Sequence, residues 1–389
     1  MTIYASFIGF ITQAIINNFA PLLFLTFTKT YNLSLTEITF LTTLNFATQL
    51  IVDLLAIGFV DKIGYRVSTV LAHFLATLGL ILMAILPATL KSPLTGLLIA
   101  VITYAIGGGL LEVLMSPIVE ACPTKNKEKA MSMLHSFYCW GQVGVILIST
   151  LFFSLFGIDK WKILMFFWAV IPFLNMILFS KVPLPGSLAE TETKLGLWGI
   201  LKNRIFWLFA LIMICGGASE HALAQWASSF SESALGITKT VGDITGPMLF
   251  GITMGITRIF YGKKGEKIEL SKFIIFSALL SMISFLIIAL SPIPLVALIG
   301  FAISGFAVGI FWPGTLSLAA KEMKTGGTAL FALLALAGDL GCSLGPTVVG
   351  IVAGKFDNNL RIGILWAVIF PLIMIIALMT VKIRGRKNA

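Results

Sequence analysis

Apolar stretches of roughly 20 residues or more follow one another along this chain with only short polar breaks, from Tyr4 to Val381. No other feature limits the fold as tightly. A run of that length crosses the hydrocarbon of a bilayer as a helix, which satisfies its own backbone donors and acceptors. Composition closes the soluble alternative: 58% of the 389 residues are hydrophobic and 11% are charged, with a mean hydropathy of +1.00. A soluble domain carries about a quarter of its residues charged. Strands of a membrane barrel would alternate apolar and polar faces instead. The chain is expected to be an all-α integral membrane protein.

The pattern predicts twelve helices, near 4–28, 35–60, 67–89, 93–119, 129–155, 162–181, 203–230, 240–261, 272–290, 293–319, 327–354 and 360–381. The first run is too long for a signal-peptide core and has no basic segment before it, so no cleaved leader is expected. With both termini placed in the cytoplasm, 19 of the 27 lysines and arginines fall in inner segments and 7 in outer ones, with Arg258 inside the eighth helix. That bias predicts the topology and a place in the cell membrane. Cys122, Cys139, Cys215 and Cys342 lie in or beside apolar runs without ligand spacing, which reads as packing, with neither disulfide nor metal.

The longest polar connection, 182–202, contains Pro183, Pro185, Gly186, Glu190, Glu192 and Lys194. It divides the chain into a six-helix half (1–181), a cytoplasmic linker (182–202) and a second six-helix half (203–389). Internal similarity supports the division. Gly9-x-x-x-Gln13 parallels Gly216-x-x-x-Glu220, and Gly141-Gln142-Val-Gly144 parallels Gly338-Asp339-Leu-Gly341. The glycine-rich approach to Pro117 parallels Gly305 to Pro313. Duplicated halves with a site between them are the layout of secondary transporters.

Ionisable groups at membrane depth point to function because even low estimates put their cost at ~2.5–3.5 kcal/mol each. Here they are Asp53, Glu112, His135, Glu220, His221, Arg258 and Asp339, with His73 the hardest to interpret. Helical spacing groups the polar residues into stripes: Gln13 with Asn17 and Asn18 beside it; Asn45, Gln49 and Asp53; His135, Tyr138 and Gln142; His221 and Gln225 next to Glu220 and Trp226. Such stripes are expected to face a water- or solute-filled interior. The plainer alternative is that amides glue helices together, at ~0.6 kcal/mol per contact. For Glu112 it is a structural ion pair, for instance with Arg258. Asp53 reads equally as a latch or a solute contact, and Glu120 as part of a cytoplasmic charge network.

Between the second and third helices the chain reads Gly58-Phe-Val-Asp61-Lys62-Ile-Gly64-Tyr-Arg66. Gly64 permits a tight reversal, and the flanking charges can latch onto a neighbouring helix end. This stretch resembles the loop signature of the major facilitator superfamily, shortened by a residue or so before the aspartate. The resemblance implies two pseudo-symmetric six-helix halves. The second-half counterpart, Arg258-Ile-Phe-Tyr-Gly262-Lys-Lys-Gly265, keeps glycines and cations without the aspartate. Gly58, Asp61, Lys62, Gly64, Arg66 and Arg258 are therefore expected to form a conformational latch.

A narrower resemblance comes from Gly107-Gly-Gly-Leu-Leu-Glu112-Val-Leu-Met-Ser-Pro117 followed by Leu134-His135-Ser-Phe137-Tyr-Cys-Trp-Gly141. These residues look like the fucose–proton symporter family, and the resemblance puts Glu112 on its proton-linked carboxylate. Two departures matter. Ser116 stands where that family has asparagine before proline, and Asn17-Asn18 stands where it has Asn-Asp before Pro21.

The expectation is a proton-coupled secondary transporter, not an enzyme, working by alternating access as a symporter of a small sugar or similar polyhydroxylated solute. Glu112, His135, Glu220 and Asp339 would handle protons, since carboxylates in desolvated sites and histidines titrate near neutrality. Gln13, Asn17, Asn45, Gln49, Gln142, His221 and Gln225 would bind hydroxyls, and Tyr138, Trp140, Trp226 and Trp312 the apolar ring face. The expected partners are the solute, protons and the bilayer, with no nucleic acid, cofactor or metal, and the state is monomeric. An alternative is a proton-coupled antiporter exporting drugs or amphipathic cations; a remote one is a non-transporting membrane sensor. No phosphate-binding G-x-x-x-x-G-K-(S/T) loop occurs to support an ATP-driven pump.

Overall fold

Proline breaks some helices of this chain, while α-helices continue through Pro87, Pro117, Pro172 and Pro346. In the computed structural model, which describes residues 1–123, 127–184, 197–264, 269–323 and 327–387, the first expected helix is α1 (Thr2–Asn18), a 3₁₀ turn (Ala20–Leu23) and α2 (Phe24–Tyr31). Pro21 has no N–H to offer the carbonyl of Asn17, so the helix breaks there. The second and third helices run as α3 (Leu35–Thr89), interrupted at Gly64 by φ 81° and ψ 157°. α4 (Pro93–Ala121), α5 (Lys127–Phe156) and α6 (Trp161–Lys181) follow.

After α7 (Leu197–Leu201), the seventh expected helix is α8 (Arg204–Ala224) and α9 (Ala227–Ser233). The eighth is split into α10 (Lys239–Asp243), a π turn (Ile244–Met248) and α11 (Leu249–Lys264). Here Pro247 fails to serve Asp243. α12 (Leu270–Leu290) is unbroken. α13 (Pro294–Val308) and α14 (Phe311–Glu322) part at Gly309, four residues before Pro313. α15 (Gly327–Lys355) is continuous, and α16 (Leu360–Ala367) ends at the residue four before Pro371, with α17 (Ile369–Lys387) following after Val368. Among the described residues eleven stretches are long and apolar enough to cross a membrane. The expected eighth is not one of them, because the π turn leaves α11 only 16 residues. No strand occurs among the described residues. Leu55, Leu155 and Leu295 are 65–76% exposed, as lipid-facing side chains are.

The chain forms two compact units, Met1–Glu190 with Thr238–Ile244, and Thr191–Ile237 with Thr245–Ala389. In the first, the glycine triplet explains how α4 seats against α3. A Cβ on Gly107 would meet the Ala72 carbonyl at 2.5 Å, and one on Gly109 would meet the Gln49 carbonyl at 3.0 Å. The triplet thus lets α4 press on both arms of α3 at once. His73 is fully buried; its Nδ1 lies 2.7 Å from the Thr69 carbonyl and its Nε2 2.7 Å from Asn175 Nδ2. Asn175 also donates to the Ala5 carbonyl at 3.0 Å. An amide nitrogen facing Nε2 makes that nitrogen the acceptor, so the imidazole is neutral with its proton on Nδ1. This network ties α1, α3 and α6 together and accounts for both residues as structure.

In the second unit α8 and α15 meet through small residues. A Cβ on Gly341 or Gly345 would collide with the carbonyls of Ile214 and Ala218, the close backbone approach that membrane helices use in place of hydrophobic driving force. Arg361 gathers the end of α12, donating to the Ser291 carbonyl at 2.5 Å and the Ala289 carbonyl at 3.3 Å, with a third bond to Ala234 at 3.3 Å.

Candidate functional site

Helical periodicity puts Gln13 and Asn17 on one face of α1, and Asn45, Gln49 and Asp53 on one face of α3. The fold of the first unit brings those faces together beside α4. Asn17 Oδ1 accepts from Asn45 Nδ2 at 3.1 Å and from Gln49 Nε2 at 2.9 Å, while Gln49 Nε2 also lies 3.0 Å from Asn45 Oδ1. Gln13 Nε2 donates to Glu112 Oε2 at 2.6 Å. Carboxylate oxygens of Asp53 and Glu112 lie within 4.8 Å of one another. Gln13, Asn17, Asn45, Gln49 and Asp53 are all buried, and Glu112 is half-buried. Two acids and four amides from three helices thus share one interior cluster.

Local structure holds this cluster in place. The Pro21 break ends α1 just past Asn17. Gly108 leaves room for the Gln49 amide, whose Cδ and Oε1 would lie 3.3 Å from a Cβ there. Gly9 admits the Met115 sulfur, and Gly141 admits Ala14 and Ile11 of α1. Gln142, next to that contact, is buried.

The α5 stripe grades along the helix. His135 is exposed, its ring 5.3 Å from that of Phe10. Tyr138 is half-buried, and Trp140 is 47% exposed. Only Gln142 of this stripe is buried.

Of the expected latch, Gly58 and the side chains of Asp61 and Lys62 lie outside the described residues. Gly64 adopts the positive φ that favours glycine, with open space where a side chain would project. Arg66 Nη1 donates to the carbonyls of Phe179 (3.0 Å) and Ser180 (2.6 Å), and Nη2 to that of Val182 (2.9 Å). A cation there both satisfies orphan carbonyls and faces the negative end of the α6 dipole. The side chain of Glu120 and residues 185–196 also lie outside the described set. At the end of α4, burial pushes the Cys122 thiol up, outweighing the N-terminal charge, which makes it a poor nucleophile.

The second unit uses its polar residues differently. Glu220, buried on α8, pairs with Arg258 of α11 at 3.5 Å. Arg258 thus contacts an acid of its own unit, whereas the sequence put it in the latch. Trp226 is completely buried and donates its indole N–H to the Pro346 carbonyl at 3.0 Å; this is a packing role, whereas the sequence made it a solute contact. Trp312 lies on the backbone of Gly338, where a Cβ would meet its ring at 2.6 Å. His221, Gln225 and Asp339 are buried.

The sequence leaves Asp53 open between a latch and a solute contact, although its four-residue spacing with Asn45 and Gln49 already puts it in their stripe. Another acid was missed. Asp243 had no such signal: fully buried at the start of the expected eighth helix, it pairs with Lys239 at 3.0 Å and accepts from Thr150 Oγ1 at 3.3 Å.

A model of the Major Facilitator Superfamily matches residues 5–346. Among solved structures, a mutant of the nucleoside transporter NupG superposes with a TM-score of 0.78 at 12% identity, over 97% of this chain and 99% of that one. A bacterial homolog of the human lysosomal transporter Spinster, inward-facing and occupied, gives 0.75 at 14% identity over 98% and 96%. A mutant of the E. coli fucose:proton symporter FucP gives 0.66 at 16% identity over 97% and 98%. At these identities the likeness is one of fold. No curated protein matches the chain.

Proposed function

The chain belongs to the Major Facilitator Superfamily and has its all-helical, multi-pass membrane fold, and from that premise we propose that it is a proton-coupled symporter of a small polyhydroxylated solute. The observation that carries the reading is the 2.6 Å bond from Gln13 to Glu112, set in an amide cluster with Asp53 close by. Two carboxylates within 4.8 Å repel by a few kcal/mol at an effective dielectric of about 20. A proton taken up between them removes that repulsion. Glu112 is the proton carrier in this reading, with Asp53 as the neighbour that sharpens its response. His135, Glu220 and Asp339 complete the proton pathway, Glu220 releasing Arg258 when it is protonated.

Asn17, Asn45, Gln49 and Gln142 supply donors and acceptors suited to hydroxyl groups, with Tyr138 and Trp140 offering aromatic faces. His221, Gln225 and Trp312 serve the solute from the second half. The neighbours named as a nucleoside transporter and a fucose:proton symporter handle solutes with sugar rings, which supports this substrate class. Halves 1–181 and 203–389, joined by the linker 182–202, alternate access in a monomer of the cell membrane with cytoplasmic termini. The loop from Gly58 to Arg66 latches one state.

Reconstituted into proteoliposomes and offered L-fucose or uridine, the protein should accumulate solute down an imposed proton gradient and acidify the lumen. Glu112→Gln should lose accumulation yet keep solute exchange. Undiminished accumulation by that variant would remove Glu112 from the mechanism. Proton movement driven by a cationic dye and by neither solute would favour export.

A further inference from the structure

Of the two polar atoms of the Gln13 side chain, only one makes a hydrogen bond among the described residues. Its side chain is 3% exposed, and its Nε2 donates to Glu112. Its carbonyl Oε1 is buried and has no hydrogen-bond partner among the described residues. An acceptor buried and unmade costs about 1–3 kcal/mol, so its presence calls for a physical reason. Ionised Glu112 can only accept, and therefore holds the amide with its N–H side toward the carboxylate and its carbonyl turned away. Protonated Glu112 has a hydrogen to give. If the amide turns over about its terminal torsion, which is broad and roughly two-fold, the carboxyl O–H donates to Oε1 and the orphan acceptor is satisfied.

We infer that Gln13 is the coupling residue of this site: its amide turns over when Glu112 takes up a proton, presenting a carbonyl to the interior while Glu112 is ionised and an NH₂ group once Glu112 is protonated. This rests on the proton reading above and adds the step that reading lacks, namely how the solute side of the site senses the proton. Gln13 carries no proton itself; it is a positioning residue. No atom changes owner apart from the proton on Glu112, which enters from solvent and leaves to it.

The surroundings suit a reversal of hydrogen-bond polarity. Within this unit, the titratable group that α3 brings close to Glu112 is Asp53. α1 contributes the neutral amides Gln13 and Asn17, and α5 carries His135 against Phe10. An NH₂ group turned away from Glu112 can donate a hydrogen bond. A carbonyl there would accept a solute hydroxyl instead. Gln13 also stands one turn before Asn17, the hub of the Asn45–Gln49 bonds, and before the Pro21 break in the same helix.

The chain has four glutamines, Gln13, Gln49, Gln142 and Gln225, so a heavy-carbon label on glutamine side-chain carbonyls reports only four groups, and Gln13→Met picks out which band is Gln13's. Infrared difference spectra of the purified full-length protein between alkaline and acidic buffer should show a protonated-carboxyl band that Glu112→Gln abolishes. In the same spectra a labelled carbonyl should shift to lower frequency as it gains a hydrogen bond. Gln13→Met should erase the labelled shift and keep the carboxyl band, with an unchanged melting temperature reporting that the variant is folded; the labelled natural chain gives the primary result without any substitution. A carboxyl band that titrates while the labelled carbonyls stay silent overturns the relay and leaves the proton reading standing. A carboxyl band that survives Glu112→Gln overturns the proton reading itself.

Discussion

The two units solve the same packing problem with different chemistry. Aligning Gly109 with Gly305, each eight residues before a proline, makes the correspondence concrete. In the first unit α4 presses its glycine on the backbone of Gln49; in the second, α13 presses its glycine on the backbone of Phe250. One turn to either side, Asn45 and Asp53 correspond to Gly246 and Met254, and Glu112 corresponds to Val308. Phe250, Met254 and Val308 are almost completely buried. An apolar helix pair therefore builds this contact without help, and the amides and acids of the first unit are not required by the scaffold. Their presence there supports the role proposed for them. The second unit places its charge elsewhere, in the pair between Glu220 and Arg258 and at Asp339.

The most damaging change to this contrast is Glu112→Gln, which should take proton-driven accumulation in proteoliposomes to background while exchange persists. Next comes Arg258→Leu. It strands Glu220 as a buried acid and should lower stability by about 3 kcal/mol, the penalty for breaking a buried pair from one side. A detergent melting curve would read it, and adding Glu220→Leu should restore most of the loss. If both single variants melt like the natural chain, the pair is not structural. Val308→Glu transplants the first unit's acid into the second, where Phe250 and Met254 offer no amide. It should cost ~2.5–3.5 kcal/mol and confer no new proton coupling; a well-folded variant would show that the scaffold tolerates acids indifferently. The smallest effect on melting is expected from Asn45→Leu, ~0.6 kcal/mol for a membrane hydrogen bond. Its effect should appear instead as weaker solute uptake at low concentration, which separates binding from glue.

Much of this arrangement was legible beforehand, though unevenly. The helix breaks were not: the helices expected from sequence run straight through Pro21, Pro247, Pro313 and Pro371, where each missing N–H leaves the residue four positions earlier unserved. Proline alone does not mark a break, since α4, α6 and α15 continue through Pro117, Pro172 and Pro346. The break after Ala224 follows no proline, and nothing in the local pattern marks it. The stripe Asn45–Gln49–Asp53 was readable as one face of a helix, yet Asp53 could not be told from a latch until α4 was seen beside it. Trp226 read as a solute-facing ring because a tryptophan beside polar residues suits either role; its burial and its bond to Pro346 are non-local facts. Arg361, counted only as an outer charge, proves to gather the carbonyls at the end of α12 through a contact 70 residues away.

By itself the sequence determined that this is a membrane protein, how many helices to expect, and which side chains share a helix face. Those properties depend on hydropathy over one span and on repeats of three to four residues, both local. Only the tertiary structure decided which faces meet. Gln13 and Glu112 are 99 residues apart, and no helical period connects them. The glycine triplet is what lets α4 come close enough to α3 for the acid at 112 to find Asp53, and α1 is what brings the amide that holds it. The carboxylate was conspicuous from the start. That it came with a partner whose own carbonyl remains unmatched was a matter of packing alone.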